Sequence, residues 1–325
     1  MQLITRLVSD EMRDGIYLHM LATRGTKYVA MILALRFANL VSRYVYLSPE
    51  RGELVESFYV MMRYVDDVVD GDAKLPERFG SGVEFVQDKI DFSKTLRKSP
   101  AEAQPIDAVD RRMVHCYDLA ARLGFSIDEE TNAILSSMLF DSRRLLKAKT
   151  SGIEAYSRDE LADHFDKLDI VGTISGIIKA RGGYSEYVER LLEAVKPLGT
   201  ASRIFYTLQD YHTDIRAKLL NIPDEDMIKY RISKEELLRS GNDLEHILKA
   251  PKLKPEDIRY VLTPPVRSWF LQEAAEGLRA IGQYKRNMAE VRKEIRIDRL
   301  SATTLYLMYE VPANNFFRGV LTNLG

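Results

Sequence analysis

The chain has 325 residues, of which 46% are apolar, and 47 Lys and Arg against 48 Asp and Glu give a formal charge of −1. This is enough apolar material for one large core or two modest ones in a soluble globular protein. The balanced charge and the lack of basic runs or zinc-ligand spacings exclude nucleic acid as an expected partner.

The N-terminal stretch MQLITRLVSDEMRDG carries charges every few residues and lacks the apolar core and cleavage site of a secretory signal, which predicts a cytoplasmic protein. The longest apolar run, Tyr28 to Leu35, stops at Arg36, far short of the ~20 residues that cross a bilayer. A short alternating stretch, Tyr44 to Leu47, is the clearest strand-like pattern. Elsewhere apolar residues recur with helical period, so the chain is expected to be all-α. Breaks are predicted at Pro49, Pro76 to Gly82, Pro100 to Pro105, Gly124, Gly182-Gly183, Pro197, Pro223 and across Pro251, Pro255 and Pro264-Pro265. About ten helices remain. With no repeat and no long flexible linker, residues 1–325 are expected to form a single domain. The one cysteine, Cys116, excludes an intrachain disulfide framework, suits a reducing compartment, and is expected to be a small buried hydrophobe.

The segment FYVMMRYVDDVVDGD holds three carboxylates, Asp66, Asp67 and Asp70, at helical spacing inside an apolar run. Asp66 and Asp70 share a helix face, and Asp67 lies about 100° round the axis. Like charges so placed destabilise a helix, and Asp is a mediocre helix former, so a bound cation is the simplest reason for the cluster. A second acidic pair, Asp210 and Asp214, lies in LQDYHTDIRAKLL, again with helical period. Mg²⁺ takes oxygen ligands, keeps several waters, and is commonly held by one or two carboxylates with substrate phosphates. Two acidic helices facing each other would suit a diphosphate held between metals. Taken singly, an Asp-rich face is more often simply solvated. Arg143-Arg144, beside Asp141, is read as a solvated pair, and His212 as structural or exposed.

The pattern resembles the squalene/phytoene synthase family, the head-to-head trans-isoprenyl diphosphate synthases, over most of the chain. Its first signature matches Tyr59, Arg63, Asp66, Asp67 and Asp70, and its second matches Leu198-Gly199, Gln209-Asp210, Asp214 and Pro223 in spacing. Weaker echoes are Met138 to Asp141, Ile170 to Ser175, and Ala275 to Leu278. Ser42-Arg43-Tyr44 stands near the family's early Ser-Arg or Ser-Phe segment. Departures are equally specific: Gln209 replaces the family's Arg, Tyr206 its Asn, Thr213 its frequent Glu, Lys218-Leu219 its Gly-Arg, and Asp166-Lys167-Leu168 its Tyr-Cys-Tyr.

The resemblance implies an all-α isoprenoid synthase bundle with a central cavity, in which Asp66, Asp67, Asp70, Asp210 and Asp214 hold Mg²⁺. It implies that Arg63 assists loss of diphosphate from a farnesyl- or geranylgeranyl-class substrate. Substrate contacts would come from Ser42, Arg43, Tyr59, Arg63, Tyr206 and Gln209, with Arg203, Arg216 and Lys218 restoring the positive charge missing at 209. Phe58, Phe205 and Tyr211 are further aromatic candidates for sheltering a carbocation. The implied reaction is squalene- or phytoene-like coupling of two prenyl diphosphates. The altered second motif keeps open a small aromatic acceptor, a terpene cyclase, or a non-catalytic assembly protein. Use of NADPH is open, no dinucleotide glycine fingerprint being present, and a prenyl substrate would leave room for peripheral membrane contact.

Overall fold

A computed structural model of the protein describes residues 16, 19, 22, 49–150, 152–182, 188–237, 253–258, 262–294, 302–303 and 305–324. Among these every regular element is helical and none is a strand. No helix is long and apolar enough to cross a membrane. The Tyr44 to Leu47 stretch lies outside the described residues, as do Ser42 and Arg43. The chain divides into two compact units, one comprising Met1–Ser142 with Ser175–Ser185, the other Arg143–Ile174 with Glu186–Gly325.

The first unit is built on α1 (Pro49–Asp70), α2 (Gly82–Lys98), α3 (Ala108–Arg122), the first part of α4 (Asp128–Thr150) and α6 (Gly176–Gly182). Pro49 opens α1, where a missing N–H costs nothing. Ser81 caps α2 by accepting from the Glu84 amide, and Asp107 with Asp110 forms a capping box at α3. α1 packs against α3 and α6. A core of Leu54, Cys116, Leu119, Ala120, Phe125 and Ile127 lies within the unit. Cys116 is the small buried hydrophobe expected, and burial pushes its thiol pKa up to about 12.

The second unit contains α5 (Arg158–Asp166), a π-helical segment π1 (Lys167–Ser175), α7 (Val188–Gln209), α8 (Tyr211–Arg216) and α9 (Asp224–Tyr230). It also contains α10 (Pro264–Glu294), a second π-helical segment π2 (Tyr306–Glu310) and α11 (Val311–Leu324). The long helices α7 and α10 lie along each other, with α11 on α10. Pro197, expected to break the chain, sits inside α7. An interior proline costs about 3 kcal/mol, and here the buried Val195, Leu198 and Ala201 on either side offset it by packing.

Two glycines of the family-like motifs have plain packing reasons. A Cβ on Gly199 would collide with Ile170 of π1, and one on Gly277 with the Phe317 ring of α11. Only glycine lets these backbones approach so closely.

Candidate functional site

The first acidic cluster lies on α1 as a continuous helix through Asp70, after which Gly71 turns in the left-handed region. Its three carboxylates have different surroundings. Asp67 is fully buried, with Arg63 Nε 3.1 Å from its Oδ1 and His19 Nε2 3.4 Å from its Oδ2. Asp66 is partly exposed and takes a hydrogen bond from Arg63 Nη1. Asp70 is exposed at the helix end. Arg63 therefore divides its guanidinium between two carboxylates one turn further on. Tyr59 is half-buried one turn before it.

A divalent cation that keeps part of its water shell fits Asp66 and Asp70, which share a face and reach solvent. Asp67 does not offer that access, and the Arg63 guanidinium already lies against it.

The second acidic segment is not one helix. α7 ends at Gln209, whose carbonyl accepts from the distant Leu253 amide at 2.9 Å, and Asp210 takes φ −93° and ψ 3°, in the bridge region. The chain then re-enters a helix at Tyr211, and the Asp214 amide still donates to the Asp210 carbonyl at 2.9 Å. The four-residue relation survives, but as a single turn after a kink. Gln209, Asp210 and Asp214 are half-buried. Asp214 Oδ2 accepts from Asn221 Nδ2 at 2.7 Å. Arg216 and Lys218 are exposed, and Lys218 adopts φ +61°, in the left-handed region. A crevice beside Asp214, bordered by Thr207, Tyr211, Asn221 and Trp269, is too narrow for a water molecule.

Arg203, on α7, lowers the carboxyl pKa values of Asp166, Asp169 and Glu273 through its charge, although burial dominates and raises all three. Asp169, within π1, is pushed up to about 7. Tyr309, in π2, is buried and its phenol pKa is raised by burial and by Asp169. Among the aromatic candidates, Phe205 stacks edge-on against Phe316 and Tyr211 against Phe270, both inside the core. Phe58 packs on the first unit's core, and Tyr206 is exposed.

Sequence reasoning missed three side chains. His19 is a partner of Asp67, and no local pattern announces a contact across 48 positions. Arg144 is no solvated arginine but a buried one, which donates to the Leu220 carbonyl and to Asn221. Asn221 was hidden because seven residues separate it from Asp214; only the turn after α8 brings them together. His212 is buried.

A third acidic group, Asp88, Asp107 and Asp110, presents oxygens within 4.8 Å of one another. Its cation is already supplied by the protein. Lys89, fully buried, donates to Asp88 at 2.9 Å and to Asp107 and Asp110 at 2.6 Å, with the Phe79 and Phe85 rings close by. Burial alone would lower the ammonium pKa, but these hydrogen bonds outweigh it and raise it.

No family model, curated protein or solved structure matches the chain.

Proposed function

We propose that the protein is an Mg²⁺-dependent prenyltransferase that ionises an allylic prenyl diphosphate and couples it to a second one, in the manner of squalene and phytoene synthesis. The observation that carries this reading is the α1 face. Asp66 and Asp70 stand one turn apart and reach solvent, with an arginine one turn before them and a buried aspartate fixing that arginine from behind. Bound Mg²⁺ would supply Lewis-acid stabilisation to the diphosphate as the allylic C–O bond breaks.

The protein's own groups have distinct tasks in this scheme. Asp66 and Asp70 hold the metal. Asp67 holds Arg63 through Nε, so that the outer edge of its planar fork would be presented to phosphate oxygens. On α1 the half-buried Tyr59 would offer a π face to a carbocation formed beside it, worth about 0.5–2 kcal/mol. Asp210 and Asp214 would be the metal-holding pair of the second acidic segment.

One observation favours a second reading. The segment around Asp210 is kinked, lacks an arginine at Gln209, and holds Lys218 exposed in a turn. A neutral acceptor, either a small aromatic molecule or the prenyl chain itself as in a cyclase, needs no second diphosphate clamp there.

The test is diphosphate release from farnesyl and geranylgeranyl diphosphate, with Mg²⁺ or EDTA, and products extracted with and without NADPH. Metal-dependent release with a C30 or C40 hydrocarbon is expected, and Asp66→Ala and Asp210→Ala should each abolish it while leaving the melting temperature nearly unchanged. A cyclised C15 or C20 product, or product formed only with an aromatic acceptor, would establish the second reading. No release under any of these conditions would overturn both.

A further inference from the structure

We propose that π1 is a pH-sensitive latch: while the Asp169 carboxyl keeps its proton the π-helical turn stays docked on α7 beside Tyr309 of π2, and loss of that proton to solvent releases it. The device is separate from the metal and substrate chemistry proposed above.

Its geometry begins with a glycine. A Cβ at Gly199 of α7 would lie 2.2 Å from Ile170 Cγ1, so Ile170 of π1 is seated directly on the α7 backbone. Three residues further along the same face of α7 stands Ser202, buried, with its Oγ unpaired. Asp169 precedes Ile170, is itself buried, and lies close enough to Ser202 for the hydroxyl to favour its charged form. π2 packs on α7 as well, and its buried Tyr309 is close enough to Asp169 to feel its charge. An acid, a hydroxyl and a phenol from three elements thus meet in one buried cluster. Residues 167–174, α7 and π2 all belong to one compact unit.

π1 also has a second register open to it. A π-helical turn closes its hydrogen bonds one residue further on than an α-helical turn, and such turns recur at functional sites. Here the turn is braced by Thr173 Oγ1, which donates to the Leu168 carbonyl five residues back at 2.9 Å. Tightening to the α-helical register would break that bond and rotate the preceding residues by about 100° round the axis, carrying Asp169 off Ser202.

The docked site suits a neutral carboxyl. Burial raises the Asp169 pKa to about 7, Ser202 and Arg203 of α7 oppose the rise, and Asp166 of α5 adds to it. Tyr309 stays a neutral phenol, its pKa raised by burial first and then by Asp169 and Tyr206. Protonated, Asp169 offers a donor to the unpaired Ser202 Oγ. Ionised, it bears the cost of a buried charge, which reaching water removes.

The experiment is native-state hydrogen exchange on the full chain from pH 5 to pH 8, corrected for the intrinsic exchange rate and repeated in urea below the unfolding transition. In peptides covering residues 167–175 the opening equilibrium is expected to rise about tenfold between pH 6 and pH 8. Linkage gives that factor for a carboxyl near 7 when docked and near 3.8 when released. The opening should be insensitive to urea, the mark of a local event, while α10 stays protected. Asp169→Asn, which cannot ionise, should remove the pH effect. Ser202→Ala, which loses a group favouring the carboxylate, should move its midpoint to higher pH, and Thr173→Val should raise opening equally at every pH. Protection of 167–175 that does not change with pH overturns the latch, as does a pH effect that survives in Asp169→Asn. Should that variant not fold, a midpoint that Ser202→Ala leaves in place overturns it. A rise shared equally by α10 and steep in urea overturns it too, because Asp169 would then act only on the unfolding of the whole unit.

Discussion

Arg63 Nε lies 3.1 Å from Asp67 Oδ1, one turn along the same helix, and Asp67 is fully buried. The most conspicuous sequence cluster in the protein thus contains a buried carboxylate and a partly exposed one that share the Arg63 guanidinium, and a third that is exposed. Its parts should respond differently to mutation. Removing Asp67 leaves Arg63 partly exposed and still paired with Asp66, so Asp67→Ala is expected to lose about 1–2 kcal/mol of unfolding free energy. Asp70→Ala, which removes an exposed carboxylate, should change stability by less than about 0.5 kcal/mol. Urea denaturation of the two variants checks the contrast, and equal stabilities would mean that the pair contributes nothing to folding.

Lys89 presents a related case, in which a lysine stands where three carboxylates would otherwise demand a cation. Lys89→Ala is expected to lose about 3 kcal/mol in metal-free buffer, since Asp88, Asp107 and Asp110 are then left to share the partly exposed Arg78. The same variant should regain part of that loss in millimolar Ca²⁺, which accepts clustered carboxylate oxygens, whereas the wild type should not respond. Melting curves with Ca²⁺ and with EDTA decide it.

Asp169 should make stability fall as pH rises. Its carboxyl, pushed up to about 7 by burial, titrates near 3.8 when the chain is unfolded. Below pH 4 both states are protonated and the group contributes no pH dependence. Between pH 4 and 7 only the folded state keeps the proton, so raising the pH favours unfolding, and the loss levels off above 7. Asp169→Asn removes this dependence. Relative to its own difference from the wild type at pH 4, it should gain on the order of 2–4 kcal/mol by pH 8. Chemical denaturation of both proteins across that range tests it, and parallel pH profiles would show that Asp169 is not perturbed.

Much of the local structure was legible in the sequence. The helical period of Val60, Met61, Val65 and Val68 correctly implied that the acidic cluster lies on a helix with one side buried. Pro49 and Gly124 marked real boundaries, because missing donors and left-handed backbone act within a few residues. Cys116, a lone thiol in an amphipathic helix, was correctly expected in the core.

The failures share a different character. Pro197 was read as a break, yet α7 continues through it because residues on both sides pack in the core. The LQDYHTDIRAKLL segment was read as helical throughout, yet the chain kinks at Asp210, where Leu253 takes the Gln209 carbonyl, and only the Asp210–Asp214 turn keeps its helical bond. Arg144 was read as solvated, yet it is buried against a turn 76 residues away.

What the sequence determined by itself was therefore the helical character of the described residues, the buried side of α1, and the presence of costly carboxylates. Periodicity and turn chemistry carry that information within one or two turns of chain. Which carboxylate meets solvent, which meets an arginine, and which is oriented by an asparagine was decided only by tertiary structure. Those outcomes depend on partners brought close by packing over tens of residues, and a one-dimensional pattern holds no record of the distance between them.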